Sequence, residues 1–593
     1  FRSVNSGSLW EAIKADANLS NFAGVIEATG YDKSLGSSQV FTVFAPTNDN
    51  FTATEAAELI AQYNEEKQTV SDSENTVIKE FVQNHIALFN YSMSAASNDS
   101  IVMMNGKYAV MKDGSLNSSN FTTTNRLYEN GVLFTLGKPV DYFPNIFEQI
   151  RKDSELSGVA SFLYDTKFYK TKVFSASSSV VGGLDSLGRT VYLDSVFYSQ
   201  NELYSYVGRI AAEDSTYWML LPTNDVWESL VEEYSKYFVY APAAANLLEE
   251  GDLDSLTYTN TRLAIMRGTA FSKTSNYDIL SGAKTQTTVK DSIRAYPYIY
   301  DYNMRTSRWG APFNYYQYYD PLGVGGVLNG SQRMECSNGV ALKTSEWPID
   351  KLQTFARWIV LEAESNIIKE VGKYTQSGVE RDGVTYKTVS VDNDKFKNRV
   401  WGNSFVEFQP VVSRYTVTFN IENVLSNFGY DIFVVAAPAL ANDSNATATE
   451  SKPTNIMFTL NYPDDKGKQQ TYKCNTSKST ATGVITSNSS GQWVTTGDKV
   501  DYLLLAEDFK FPVATSGLSE SEPMITLTAQ NNSRPTDDTQ QRVERIDCIL
   551  LVPHGTLQLV DELQDYGFGS SFTGPGVVMK PHGDKPNKYP KLR

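Results

Sequence analysis

The feature that most constrains this chain is a repeat. FTVFAPTNDNF (Phe41 to Phe51) and YWMLLPTNDVW (Tyr217 to Trp227) both place Pro-Thr-Asn-Asp after an apolar run and just before a large aromatic. In each copy the apolar run reads as a strand. Pro46 and Pro222 end it, because proline offers no ladder donor. The side chains of Thr47, Asn48 and Asp49, and of Thr223, Asn224 and Asp225, can cap the helix that follows. Phe51 and Trp227 then return an aromatic to the core. A ligand-contacting loop is the sharper reading of the motif, and a structural turn is the plainer and favoured one.

Further landmarks recur in the same order. Asn5 to Gly30 reads as two short helices, with Ser20 as the cap between them and Gly30 as the stop. SGVASFLYDT resembles that pair in a second copy, which begins near Asn145 after a linking helix, NIFEQI. VIKEFVQNHIALFNYS reads as a helix running into a strand from His85 to Phe89, and TRLAIMRGTAFS matches that strand in the second copy. Asn130-Gly131 and Asn338-Gly339 each signal a hairpin turn before an apolar strand. Ordered landmarks of this kind mark a duplicated domain.

The second copy differs by a long insertion, about 273–335, rich in tyrosine. Tyr296, Tyr298, Tyr300 and Tyr302 recur every second residue, so one strand would point them to one face. Trp309, Tyr315, Tyr316, Tyr318 and Tyr319 follow. Such a row suits a protein interface or stacking on sugar rings. The plain alternative is a tyrosine-rich core between the insertion and its host. From about Asp350 onward, strand-like runs separated by turns predict a β-sandwich, with Tyr415, Val417, Phe419 and Ile421 alternating inward.

The 593 residues exceed one hydrophobic core. A formal charge of -16 would repel a phosphate backbone, so no nucleic-acid partner is expected. Three cysteines (Cys336, Cys474, Cys548) make no disulfide framework, and three histidines (His85, His554, His582) make no metal cluster at helical spacing. No cofactor is expected. No zinc-protease, P-loop or nucleophile-elbow motif occurs. A pair of carboxylates acting on a glycoside stays open, because spatial separation is invisible in sequence. His85, on an apolar junction, reads as a buried ring bonded to backbone.

The two copies resemble the fasciclin-like domain family. LWEAIKADANLSNFAGVIEATG, FTVFAPTNDNF, and VIKEFVQNHIALFNYS followed by NGVLFTL carry the resemblance in the first copy; LLPTNDVW and NGVALKT carry it in the second. The resemblance implies an α+β chain: two β-wedge domains with small helices, then an all-β sandwich. The expected boundaries are 1–147, 148–350 with the insertion, 351–562, and a basic extended tail over 563–593. It also implies a surface role in adhesion or interaction without catalysis. Some animal members carry a Tyr-His pair linked to receptor binding; here Asn84 precedes His85, and Arg262 is expected at the histidine position of the second copy, so that motif does not transfer.

Tandem fasciclin-like domains followed by a sandwich also resemble surface lipoproteins of Bacteroidetes that accompany SusC/SusD-type uptake machinery. That resemblance implies an outer-membrane location, a lipid anchor upstream of residue 1, protein partners, and a glycan or peptide ligand. A stand-alone adhesion or glycan-binding protein is the alternative.

Overall fold

The computed structural model describes residues 4–91, 98–247 (except 185, 188 and 215), 253–273, 321–518 (except 398, 413 and 482), 524–534 and 538–562. Elsewhere it describes only the strands at 292–296, 302–303, 308–309, 317–319 and 573–579. The chain forms two compact units. The first comprises residues 1–204, 209–217 and 334–341; the second comprises 205–208, 218–333 and 342–593.

In the first unit, helix Leu9–Ala15 opens on a capping box: Ser8 Oγ accepts from Glu11 N–H, and the Glu11 carboxylate accepts from Ser8 N–H. Helix Ser20–Ala28 follows a 3₁₀ turn over Ala17–Leu19. Ser20 is the first residue of that helix and not its cap, a correction to the sequence reading; Asp16 caps the preceding turn instead. Gly30 does stop the helix, with a left-handed φ of 80°.

The sheet of the first copy runs in the order Ile86–Ala87, Phe41–Pro46, Gly131–Leu136, Ser119–Tyr128, Ser115–Leu116, Tyr108–Lys112, Asn98–Val102. Its core pair, Phe41–Pro46 with Gly131–Leu136, is parallel and buried throughout. The expected helix over 77–84 is a π turn (Ile78–Val82) followed by a 3₁₀ turn (Gln83–His85), and the strand after it is only Ile86–Ala87.

Asn130 explains much of the first copy's geometry. Its Oδ1 accepts from Leu9 N–H at 2.8 Å, and its Nδ2 donates to Leu35 O at 2.7 Å and Ser37 O at 2.9 Å. One buried amide thereby fastens two helices and a strand. Asn338 repeats the arrangement: Oδ1 accepts from Ile146 N–H at 2.9 Å, and Nδ2 donates to Ile210 O and Ala212 O at 2.7 and 3.0 Å. The hairpin expectation shifts by one residue. Glu129 and Asn130 form the turn, and Gly131 already pairs with Tyr128 as a strand residue. The equivalence also shows that NIFEQI is no linker. Helix Ile146–Lys152 is the second copy's opening helix, with its own capping box from Asn145 and Glu148.

Strand Tyr217–Pro222, which enters the second unit at Trp218, leads into helix Asn224–Ser235. TRLAIM lies in helix Leu253–Met266, and the strand begins only at Ala270. A short helix, Tyr204–Val207, precedes strand Tyr217–Pro222 in the chain.

The sandwich comprises two antiparallel sheets. One runs Val384–Ser390, Ser404–Pro410, Glu544–Pro553, Gly429–Ala436, Asp501–Lys510, with Ile359–Glu362 also on Glu544–Pro553. The other runs Ile368–Val371, Thr416–Ile421, Ile525–Asn531, Asn455–Pro463, Gln469–Lys473. Tyr415, Val417, Phe419 and Ile421 are all buried, as their alternation predicts. Every residue of Glu544–Pro553 is buried, so this strand is covered on both faces. Trp401 and Leu557 pack with Phe433, Leu504 and Leu550 in one core cluster. Thr573–Met579 pairs antiparallel with Leu557–Glu562.

The second copy's segment 236–240 is bonded to the sandwich within this unit. Ser426 Oγ donates to Lys236 O at 2.7 Å and accepts from Val239 N–H at 2.9 Å, and Tyr240 OH donates to Ser516 O. Among the described residues no helix is long and apolar enough to cross a membrane.

Candidate binding cleft

A cavity of about 240 Å³ lies in the first unit. The first copy supplies Glu66 at the end of helix Ala53–Glu66, Glu74 from a 3₁₀ turn, and Lys79 and Glu80 from the π turn. Helix Ile146–Lys152 supplies Phe147, Glu148, Arg151 and Lys152. The spacing of Glu148, Arg151 and Lys152 (i, i+3, i+4) puts them on one helical face. Tyr164 and Tyr169 complete the wall.

The aromatic wall is tightly built. Phe147 and Tyr164 stack at 4.0 Å with 14° between planes, and Tyr169 meets both edge-on. Arg151 lies 4.6 Å from the Tyr164 ring centre. Burial pushes the phenols of Tyr164 and Tyr169 well above their ordinary pKa, so both remain neutral donors.

Behind the cavity sits a buried charge cluster. Lys107 Nζ is 2.8 Å from Glu148 Oε1 and 2.6 Å from Glu213 Oε1, and it donates to Ser337 Oγ at 2.9 Å. Tyr142 OH donates to Glu148 Oε2. Burial alone would raise the Glu148 pKa. The Lys107 ammonium and the hydrogen bonds from Lys107 and Tyr142 outweigh it and hold the carboxyl below its usual range.

Other charges bridge the walls. Glu80 pairs with Lys152, while Glu74 accepts from Tyr169 OH at 3.0 Å and lies 3.9 Å from Arg151 Nη1. Sequence reasoning missed these residues, because they come from segments far apart in the chain. The one local signal was the charged face of the helix at 148–152.

The PTND residues serve structure, differently in the two copies. The capping expectation for the first copy is corrected: Thr52 caps helix Ala53–Glu66, through Oγ1 and Glu55 N–H. Asn48 instead reaches back to the opening helices. Its Nδ2 donates to Ala17 O and Ser20 Oγ, and its Oδ1 accepts from Asn21 N–H. Asp49 is exposed. Thr47 N–H donates to Leu136 O, and Thr223 N–H donates to Thr344 O in the matching place. In the second copy Thr223 sits at the cap position without a side-chain cap bond, and Asn224 and Asp225 are already helical. Pro46 and Pro222 each end their strands, and Phe51 and Trp227 are buried as expected.

Of the tyrosine row, Tyr298, Tyr300, Tyr315 and Tyr316 lie outside the described residues. Tyr296, Tyr302, Trp309, Tyr318 and Tyr319 are described as strand backbone. Tyr296 pairs with Ala270 and Tyr318 with Ile293 in one sheet, whereas Tyr302 pairs with Trp309 in another. Tyr296 and Tyr302 therefore do not share one strand, which corrects that part of the expectation.

His85 is fully buried, with Nδ1 2.6 Å from Phe81 O and Nε2 accepting from Val140 N–H at 2.9 Å. Burial pushes its pKa down to about 4, so the ring is neutral. Strand register corrects the assignment of Arg262. Val43 pairs with Ile86 and Met219 with Ala270, so Thr269 holds the place of His85. Thr269 is likewise buried and donates to Met266 O at 2.7 Å. Arg262 lies within helix Leu253–Met266.

Acids in the sandwich are shifted by their surroundings; Glu544 and Asp547 are buried and Glu364 is half-buried. Burial pushes Glu544 up to about 8, Glu364 up to about 7, and Asp547 well above its ordinary value. Glu544 accepts from Asn531 Nδ2, and Asp547 from Trp401 N–H. His554 pairs with Asp431 at 2.8 Å. Among the described residues no group of three or more His, Cys, Asp or Glu could hold a metal ion.

Residues 17–140 match the family model of the Fasciclin domain. Among curated proteins none matches the chain. Among solved structures, the FAS1 domain pair from the insect cell adhesion molecule Fasciclin I is 11% identical; the match covers 57% of this chain and 98% of that one, with a TM-score of 0.18. The CBM22-1 xylan-binding domain from Paenibacillus barcinonensis Xyn10C is 11% identical over 33% of this chain and 95% of that one, with a TM-score of 0.19. The catalytic domain of a GH87 alpha-1,3-glucanase is 10% identical over 35% and 30%, with a TM-score of 0.16. At such TM-scores these likenesses carry no argument about ligand or activity. The chain is α+β, and its residues 17–140, which carry the first sheet, are similar to the Fasciclin domain.

Proposed function

We propose that the chain is a non-catalytic cell-surface interaction protein, serving as an accessory lipoprotein of an outer-membrane nutrient-uptake complex. The observation that carries this reading is the tandem arrangement: a Fasciclin domain, which is an adhesion- and surface-type domain, repeated down to the Asn130 and Asn338 anchors and followed by a sandwich. Such a scaffold presents loops and aromatic faces to protein partners. Co-purification from native membranes tests it. An outer-membrane transporter should be recovered with the chain, and recovery of the chain alone would sink the reading.

The tyrosine-rich insertion favours a second reading, a stand-alone glycan-binding or adhesion protein. It requires binding on a glycan array that disappears when Tyr298 and Tyr300 are replaced by alanine. Binding that survives both changes counts against it.

A further inference from the structure

Most charges at the cleft of the first unit are matched within the protein. Glu80 has Lys152, Glu148 has Lys107, and Glu74 has Arg151 together with the hydroxyls of Tyr169 and Ser199. Two are not. Glu66 accepts from Thr76 N–H at 3.2 Å and from Thr76 Oγ1 at 2.7 and 2.8 Å, with no cation within 4.0 Å among the described residues. Lys79 has no ion-pair partner among the described residues, and its charge is felt at Glu148. Both line the same cavity, together with Val70 and the edge of the Phe147–Tyr164 stack.

A carboxylate and an ammonium that line one cavity without pairing suit a ligand carrying both opposite charges. A purely anionic ligand would meet Lys79 but be opposed by Glu66, and a cation the reverse. The apolar and aromatic surface beside them accepts a hydrocarbon side chain. About 240 Å³ is smaller than the roughly 300–1,000 Å³ of drug-sized pockets, which restricts the occupant to one small molecule. We propose that this cleft binds a small zwitterion, an α-amino acid with an apolar side chain, with Glu66 facing the ammonium and Lys79 the carboxylate. The site is independent of which surface complex the chain joins.

Isothermal titration calorimetry on the full chain tests it, using L-leucine, L-leucinamide (cation only), N-acetyl-L-leucine (anion only) and cellobiose (neutral saccharide). The expected result is binding of L-leucine, at least about tenfold weaker binding of each singly charged analogue, since losing one charge contact is worth about 1.4 kcal/mol or more, and none of cellobiose. Lys79→Gln and Glu66→Gln should each weaken L-leucine binding about tenfold with unchanged circular dichroism. No heat with L-leucine in the unaltered protein overturns the proposal. So does binding of cellobiose in its place, or equal affinity for L-leucine and either analogue. If one Gln variant misfolds, the analogue series in the unaltered protein still decides.

Discussion

Asn130 and Asn338 hold equivalent positions in the two copies, and each side-chain amide makes the same three hydrogen bonds. Each accepts from the first residue of its opening helix and donates to two carbonyls just before the strand of its PTND motif. Asn130→Ala would leave one backbone donor and two carbonyls of a buried site without this partner. Unpaired buried groups cost about 1–3 kcal/mol each, so a loss of roughly 3 kcal/mol is expected. Urea denaturation of the full chain should show it, with Asn338→Ala following suit. A change below about 0.5 kcal/mol in both would contradict the anchoring role.

The glycines after these asparagines are equally constrained. Gly131 has φ of 149°, and a Cβ there would lie 1.9 Å from Phe41 O; Gly339 has φ of 139°, with a Cβ 1.8 Å from Tyr217 O. The contact is backbone on both sides, so no rotamer relieves it. Gly131→Ala and Gly339→Ala should each cost roughly 3 kcal/mol or more, or abolish soluble expression. Wild-type melting temperatures in both variants would refute the close approach.

Lys107 neutralises two carboxylates that are themselves mostly buried. Removing one partner of such a cluster costs about 3–5 kcal/mol, because the remaining charges stay desolvated. Lys107→Met should destabilise accordingly, and adding Glu213→Gln should recover part of the loss. A double-mutant cycle measures the coupling. Strict additivity would show that the charges do not act as a unit.

His85 makes the first copy sensitive to acid. Its folded pKa is pushed down to about 4 from an ordinary 6.5, so the unfolded chain takes up the proton first. The stability tied to the neutral ring is complete above pH 6.5 and is lost as pH falls toward 4, at up to about 1.4 kcal/mol per pH unit. Hydrogen exchange of Phe41–Pro46 between pH 7 and 4.5 reports it. His85→Gln should show a shallower decline, and identical slopes would exclude His85 as the cause.

Glu544 acts in the opposite direction in the sandwich. Burial raises its folded pKa to about 8 from 4.5, so the folded state holds the proton longer. The stability of the protonated acid is complete below pH 4.5 and is lost as pH rises through 8, again at up to about 1.4 kcal/mol per unit. Glu544→Gln keeps the neutral shape. Its advantage in melting temperature over the wild type should grow from pH 5 to pH 8. A constant or shrinking difference would rule out this titration.

The sequence by itself determined the duplication, the strands around both PTND motifs, the alternating strand at Tyr415–Ile421 and the buried His85. Those features are local: periodicity, proline and the order of landmarks are written along the chain. Only the tertiary structure decided what the marked residues do. Asn48 binds the opening helices and leaves capping to Thr52, because its amide meets carbonyls distant in sequence. Asn130 fastens helices where sequence suggested only a turn. Thr269 replaces Arg262 as the counterpart of His85, because strand register and not sequence spacing aligns the copies. The cleft was illegible for the same reason. Glu66 and Lys79 come from the first copy and Phe147 from the second, and no local pattern joins charges that meet only once the helices have packed.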